Sequence, residues 1–302
     1  TAESLGYRPN LAGKALARRK QNLKVGVLLV SENNPFFDEV IRGGTRAQTE
    51  INDYGVSLVL KTMRGYDANR QLELIEELEQ ECAVLVLHPV DHPSIAQKVE
   101  ELKEKGIETV FVNTEIKDCG RLCYVGSNCR KGGETACGML AMITGGKAMV
   151  GIVGGSNSIL GHRQRVEGFC EVAKTRYPGL QIAALSHNED DDEIAYQVTR
   201  KMLCDHPKIN ALFLAAAGVK GVCDAVLEQR KAGQISIVCF DGTPVASEMM
   251  KRGVIQAAVC QHPFTQGYKA VHTAFRYLVS GVRPPRDQML VKNEIKIKEN
   301  LQ

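Results

Sequence analysis

From Lys24 onward the chain alternates short apolar runs with amphipathic stretches. The runs are Val25–Val30, Ser57–Leu60, Ala83–Leu87, Thr109–Val112, Cys123–Val125, Ala148–Val153, Ile182–Leu185, Ala211–Leu214, Ile235–Phe240 and Ile255–Val259. They are continuous rather than alternating and rich in Val, Leu and Ile, the pattern of strands covered on both faces. Helical periodicity falls between them, in Phe37–Asn52, Asn69–Glu81, Pro93–Lys105, Lys131–Thr144, Arg163–Arg176 and Glu193–Cys204. Such alternation builds parallel sheets through right-handed crossovers. Five strand–helix units precede residue 126 and a similar set follows, predicting an α/β protein of two doubly wound lobes around a cleft. Pro263–Ser280 reads as a further helix, and Gln288–Lys292 and Glu294–Ile297 as further strands. The chain is therefore expected to cross between lobes near 126, 261 and 290. The N-terminal lobe would take residues 24–126 with 262–289, and the C-terminal lobe residues 127–261 with 290–302.

Composition narrows the function. No apolar run approaches the ~20 residues of a membrane span, so no membrane partner is expected. The N-terminus is polar and basic without an apolar signal region. Of ten cysteines, Cys82, Cys137, Cys170, Cys204, Cys223, Cys239 and Cys260 sit in apolar runs. There they behave as small hydrophobes, a usage that suits a reducing cytoplasm. Cys119, Cys123 and Cys129 form no CxxC pair and have no His placed to complete a zinc site, so no metal is expected. Gly154-Gly155-Ser156 precedes a helix but lacks a Walker lysine or a GxGxxG, so no nucleotide cofactor is expected either. With no nucleophile elbow and no acid/base carboxylate pair, the chain carries no expected catalytic residue.

Charge is uneven. Residues 1–24 hold six Lys or Arg against one acid, Glu3, a net of +5, whereas the whole chain carries +3, which leaves the remainder at −2. A cationic arm on a mildly acidic body points to a polyanion partner for the arm. Tyr7-Arg8-Pro9-Asn10 reads as a turn whose Asn can cap a helix, with about two helical turns over Leu11–Arg19. This pattern, with Leu16 seven residues after the proline, resembles the hinge helix of the LacI/GalR repressor family, and Glu3-Ser4-Leu5-Gly6 resembles the end of that family's helix-turn-helix domain. The resemblance implies that residues 1–23 are the end of a DNA-binding domain and its hinge. Arg8, Asn10, Lys14, Leu16, Arg18 and Arg19 would face operator DNA, with Leu16 as the minor-groove wedge. Lys14 and Gly13 stand where the family usually has Arg and Ala. A reading helix needs a first helix to brace it and none precedes Thr1, so an N-terminally truncated regulator is expected.

Ligands of open α/β sheets bind beyond the carboxyl ends of the strands, and this rule selects candidates directly. Asn34-Pro35-Phe36-Phe37 follows the first run. An aromatic floor with amide edges suits a sugar ring, with one phenylalanine in the core and the other toward the ligand. His88-Pro89-Val90-Asp91 and Asn113-Thr114 follow the third and fourth runs. Arg165 lies in the helix after Gly154-Gly155-Ser156, Asp241 closes the ninth run in Phe240-Asp241-Gly242-Thr243-Pro244, and Gln261 follows the tenth. These motifs resemble the type I periplasmic-binding-protein fold and ribose-binding protein, which LacI-type regulators share as an effector domain. The resemblance makes Asn34, Phe36, Phe37, Asn113, Arg165, Asp241 and Gln261 the sugar contacts. It also marks two departures. Asn113-Thr114 replaces a usual Asp-Arg, which leaves room for a ligand other than ribose, and Ala215-Ala216-Ala217 replaces a polar pair, losing a contact. The run Glu189–Glu193 reads as a solvated helix N-terminus, from which Asp190 or Asp191 could still reach the rim. Together these readings predict a cytoplasmic, homodimeric, sugar-responsive transcriptional repressor. The alternative is a solute-binding protein of a sugar ABC transporter.

Overall fold

A computed structural model describes residues 23–301 apart from positions 31 and 33. The hinge candidates Arg8, Asn10, Lys14, Leu16, Arg18 and Arg19 lie outside the described residues. The chain divides into two compact units. Of the described residues, the first takes 23–30, 37–126 and 263–289; the second takes those within 32–36, 127–262 and 290–301.

The first unit is built on a sheet whose strands are β1 (Leu23–Val30), β2 (Val56–Met63), β3 (Val84–Leu87), β4 (Glu108–Val112), β5 (Cys123–Ser127) and β11 (Gln288–Val291). Their order is β11-β5-β4-β3-β1-β2, so the sheet reverses direction of growth at β1 and β3. Helices α1 (Pro35–Ile51), α2 (Ala68–Glu79), α3 (Pro93–Glu104) and α9 (Pro263–Ser280) cover it. Local chemistry sets several boundaries. The Asp67 side chain accepts from the backbone N–H groups of Asn69 and Arg70 to cap α2, and Pro93 opens α3 where its missing N–H costs nothing. One connection carries no helix: β4 runs to β5 through a loop, although the two strands pair in parallel. The intervening Thr114–Arg121 stretch is mostly polar, with no apolar stripe on which a helix could pack, and Asn113 and Asp118 both take positive φ.

The second unit repeats this order. Its strands are β6 (Ala148–Gly154), β7 (Leu180–His187), β8 (Ala211–Leu214), β9 (Ser236–Phe240), β10 (Ala257–Cys260) and β12 (Glu294–Lys296), arranged β12-β10-β9-β8-β6-β7 with β12 antiparallel to β10. Helices α4 (Cys129–Ile143) and α5 (Leu160–Arg176) cover one face, where Phe169 stacks on Phe213 at 4.5 Å. Helices α6 (Asp192–Asp205), α7 (Val219–Glu228) and α8 (Pro244–Lys251) cover the other. Asn128, Asp191 and Thr243 cap α4, α6 and α8.

All ten cysteines are free. Seven are buried, Cys119 and Cys170 are half-buried, and Cys204 is exposed. Burial pushes the thiols of Cys82, Cys119 and Cys123 up to about 11 and those of Cys137, Cys223 and Cys260 up to about 12. Because the thiolate is the reactive species, these groups are inert while the fold holds. Titration of the native protein with a disulfide thiol reagent is expected to modify one cysteine rapidly, at Cys204, and all ten after denaturation. Rapid labelling of several native thiols would contradict this packing.

Candidate ligand-binding site

The carboxyl ends of the second unit's strands gather a connected set of polar groups. Asp241 follows β9 directly and takes a left-handed backbone, φ 62°, a conformation that Asp tolerates better than most residues and that recurs at functional sites. The turn aims its carboxylate at Gln261, which follows β10. Gln261 Nε2 donates to Asp241 Oδ2 at 2.9 Å, and Gln261 Oε1 accepts from Ser127 Oγ at 2.9 Å. The other oxygen, Asp241 Oδ1, is sealed from solvent with no hydrogen-bond partner among the described residues. Burial pushes the Asp241 carboxyl up to about 6, against the opposing pull of Arg165 and the Gln261 hydrogen bond.

Arg165 projects from α5 and is 3% exposed. Its Nη1 donates to the Ala215 carbonyl at 2.8 Å, its Cζ lies 4.1 Å from the Phe240 ring centre, and its Nε is buried without a partner. Stacking on an aromatic face fixes a guanidinium while leaving its edge donors available. The helix carrying it is seated by Gly133 of α4, where a Cβ would fall 1.9 Å from the Arg165 carbonyl oxygen.

His162, one turn earlier on α5, is buried, and its Nδ1 accepts from the Ser156 backbone N–H at 3.1 Å. This fixes the tautomer with the proton on Nε2, which lies 3.9 Å from Asp190 Oδ2. Burial pushes the imidazole down to about 4, with Asp190 opposing, so it is neutral near pH 7. Gly155 is required beside it, because a Cβ there would lie 2.3 Å from His162 Nδ1. Asp190 also has a left-handed backbone, φ 60°, and its Oδ1 accepts from the Ala217 N–H at 3.1 Å. Asn188 donates to the Ala217 carbonyl at 2.6 Å. Ala215 and Ala217 thus contribute main-chain groups to this set, in the segment where the resemblance implied a lost polar contact. Asp191, by contrast, is spent capping α6. Asn34 belongs to this unit; its Nδ2 donates to Asp190 Oδ2 at 3.5 Å, and its Oδ1 accepts from the Phe36 N–H at 3.1 Å.

In the first unit, Asn113 occupies the position after β4 that Asp241 occupies after β9. It has φ 67°, its Nδ2 donates to Gln266 Oε1 at 3.3 Å, and its carbonyl accepts from the Tyr124 hydroxyl at 3.0 Å. Each unit therefore sets a left-handed Asn or Asp against a glutamine. Phe36 and Phe37 are both buried, 7% and 3% exposed, and Phe37 meets the His88 ring edge-to-face at 4.9 Å. The loop after β3 is held by buried Gln71, which donates to the His88 carbonyl at 3.0 Å and accepts from the Val90 N–H at 2.8 Å. Sequence reasoning missed His162, Gln71, Gln266 and Ser127, whose partners lie far away in the chain. Among the described residues no group of three His, Cys, Asp or Glu could hold a metal, and no helix is long and apolar enough to cross a membrane.

These features have known counterparts. Residues 25–281 match the model of the periplasmic binding protein domain. The chain belongs to the periplasmic binding protein family. As such it is a binding protein and not an enzyme, built on the type I fold of two α/β lobes with parallel sheets. It is 25% identical over 268 residues to the ribose import binding protein of Bacillus subtilis, covering 88% of this chain and 85% of that one. It is also 25% identical to the D-allose-binding periplasmic protein of Escherichia coli, covering 78% of each. Among solved structures, the glucose-galactose binding protein GanP of Geobacillus stearothermophilus superposes with a TM-score of 0.85 at 24% identity, over 92% of this chain and 99% of that one.

These relatives correct four expectations. They are import and periplasmic binding proteins, which overturns the reading as a LacI-type transcriptional regulator in favour of its alternative. Operator DNA is withdrawn as the partner, and with it the DNA-facing roles of Arg8, Asn10, Lys14, Leu16, Arg18 and Arg19. The expected homodimer rested on two DNA half-sites and loses its basis. The cytoplasmic placement is overturned as well. Its argument came from unpaired cysteines, but thiols kept protonated by burial persist unpaired without a reducing compartment.

Proposed function

We propose that this chain is the solute-binding component of a sugar ABC importer, acting outside the cytoplasm and delivering a small carbohydrate to a transporter permease. The observation that carries the reading is the Asp241–Gln261 pair beside the Phe240-stacked Arg165. A carboxylate with one oxygen fixed by an amide and the other unpartnered is built to accept hydroxyl hydrogens. A guanidinium with a buried, unpartnered Nε is built to donate to a hydroxyl or ring oxygen. Asn34, Phe36, Phe37 and Asn113 are assigned as further sugar contacts, the first three where the chain leaves β1 and enters α1 and the last directly after β4. Relatives named for ribose, D-allose and D-apiose support a monosaccharide as the ligand.

A thermal-shift screen over pentoses, hexoses, sugar acids and disaccharides tests this. A bound sugar at a hundred times its dissociation constant is expected to stabilise the protein by about 2.7 kcal/mol, several degrees in Tm. A flat response across the monosaccharides would reject the reading.

A further inference from the structure

A second binding site lies on the first unit, away from the strand ends. The outer face of α9 and the following 281–289 segment enclose a cavity of about 260 Å³, slightly below the ~300–1,000 Å³ of drug-sized pockets. Its wall is cationic. Lys269, His272 and Arg276 line it from α9 at the i, i+3 and i+7 spacing that places them on one helix face, and Arg283 lines it from the loop. None of the eighteen residues of α9 is Asp or Glu.

Several other helical cations are neutralised by their own helices: Arg42 by Glu39, Arg46 by Glu50, Lys131 by Glu134, Lys201 by Asp205 and Lys220 by Asp224. Neither Lys269 nor Arg276 has a carboxylate within ion-pair distance among the described residues. Arg283 pairs with Glu108, and the nearest acid on α1, Glu50, accepts from the Tyr268 hydroxyl and pairs with Arg46. His272 is stacked on Tyr268 at 5.6 Å, and burial together with the charge of Arg276 holds its imidazole below the usual range. Glu108 neutralises Arg283 and the charge of Glu50 reaches His272, but Lys269 and Arg276 keep no carboxylate within ion-pair distance among the described residues, and a bound anion offsets their repulsion.

We propose that this cavity binds a small phosphorylated ligand, with its oxyanion held by Lys269 and Arg276 and hydrogen-bonded by His272. Arg provides a fork that fits phosphate oxygens and Lys a point charge. An anion placed there raises the His272 pKa, because it favours the imidazolium.

The test is a titration of the full chain with inorganic phosphate and with glycerol phosphate at constant ionic strength. Binding is read by calorimetry and by the NMR titration of His272. Saturable one-to-one binding of either is expected, with an upward shift of the His272 titration and at least tenfold weaker binding in Lys269→Ala/Arg276→Ala. Lys201→Ala, which removes a cation elsewhere, is expected to leave binding unchanged. Both replaced side chains in the double variant are exposed, so its thermal unfolding should match that of wild type. Glycerol phosphate binding more tightly than phosphate would identify an ester as the ligand; equal affinities would identify the anion alone. The absence of saturable binding, or binding that survives the double variant or leaves His272 unmoved, would overturn the proposal.

Discussion

Asp241→Ala is expected to weaken sugar binding by roughly ten- to hundredfold while leaving the second unit folded. A hydrogen bond to a charged group contributes about 1.5–3 kcal/mol, and Asp241 presents one carboxylate oxygen that nothing else among the described residues uses. Removing it also strands Gln261, whose Nε2 loses its acceptor, although Ser127 still holds the Oε1 side. The fold should tolerate the change, because the native protein pays for burying this carboxylate: its pKa stands at about 6, well above the usual carboxylate value. Loss of affinity without loss of thermal stability separates a ligand-binding role from a structural one. A variant that unfolds, or that binds as wild type does, would count against the assignment.

Sugar affinity is expected to fall as pH drops through about 6. Asp241 is raised by burial in the free protein, so protonation near pH 6 converts its acceptor oxygens into a neutral acid. Sugar hydroxyls donating to the carboxylate favour the ionised form and lower the pKa of the complex. By linkage, binding near pH 6 then releases a proton, and the dissociation constant rises with falling pH by at most about tenfold per unit between the two pKa values. For the free fold the sign is reversed. A carboxyl raised above its unfolded value costs nothing while both states are protonated, and its burial cost grows as pH rises from about 4 through 6. His162, pushed down to about 4, stays neutral in the folded protein between pH 5 and 8 and adds no slope to the affinity; on fold stability it acts in the opposite sense to Asp241, because the unfolded imidazole gains a proton as pH falls through about 6.5 while the buried one does not. Affinity measured from pH 5 to 8 should therefore bend near 6 in the wild type and be flat in Asp241→Asn. An equal bend in both proteins would assign it to another group.

Runs such as Val25–Val30 and Ile235–Phe240 are legible as strands because burial on both faces removes every polar interruption, and their lengths nearly match β1 and β9. The connection from β4 to β5 stays a loop because its polar sequence offers no apolar stripe to a helix. At the site, Asp241 and Gln261 are visible because each directly follows a strand, and Arg165 because it sits in a motif on the helix after β6. His162 and Asp190 are not visible as a pair: 28 positions separate them, and only the folded backbone brings them within 3.9 Å. The Ala215–Ala217 run looked like a lost contact because side chains are what a sequence displays, whereas its main-chain carbonyls and N–H serve Arg165, Asn188 and Asp190. The regulator reading rests on the basic charge, the Tyr7-Arg8-Pro9-Asn10 turn and the spaced Leu16 of a short arm, whereas the relatives match the much longer two-lobed body and are import binding proteins.

Asp241, Gln261 and Arg165 are proposed to hold a monosaccharide beside the second unit's strand ends. Isothermal titration calorimetry tests this most directly, with the best sugar from the thermal-shift screen titrated at pH 7.5 into wild type, Asp241→Ala and Arg165→Ala. One sugar per chain is expected in the wild type, with at least tenfold weaker binding in each variant. Saturable binding of equal affinity in all three proteins would contradict this assignment.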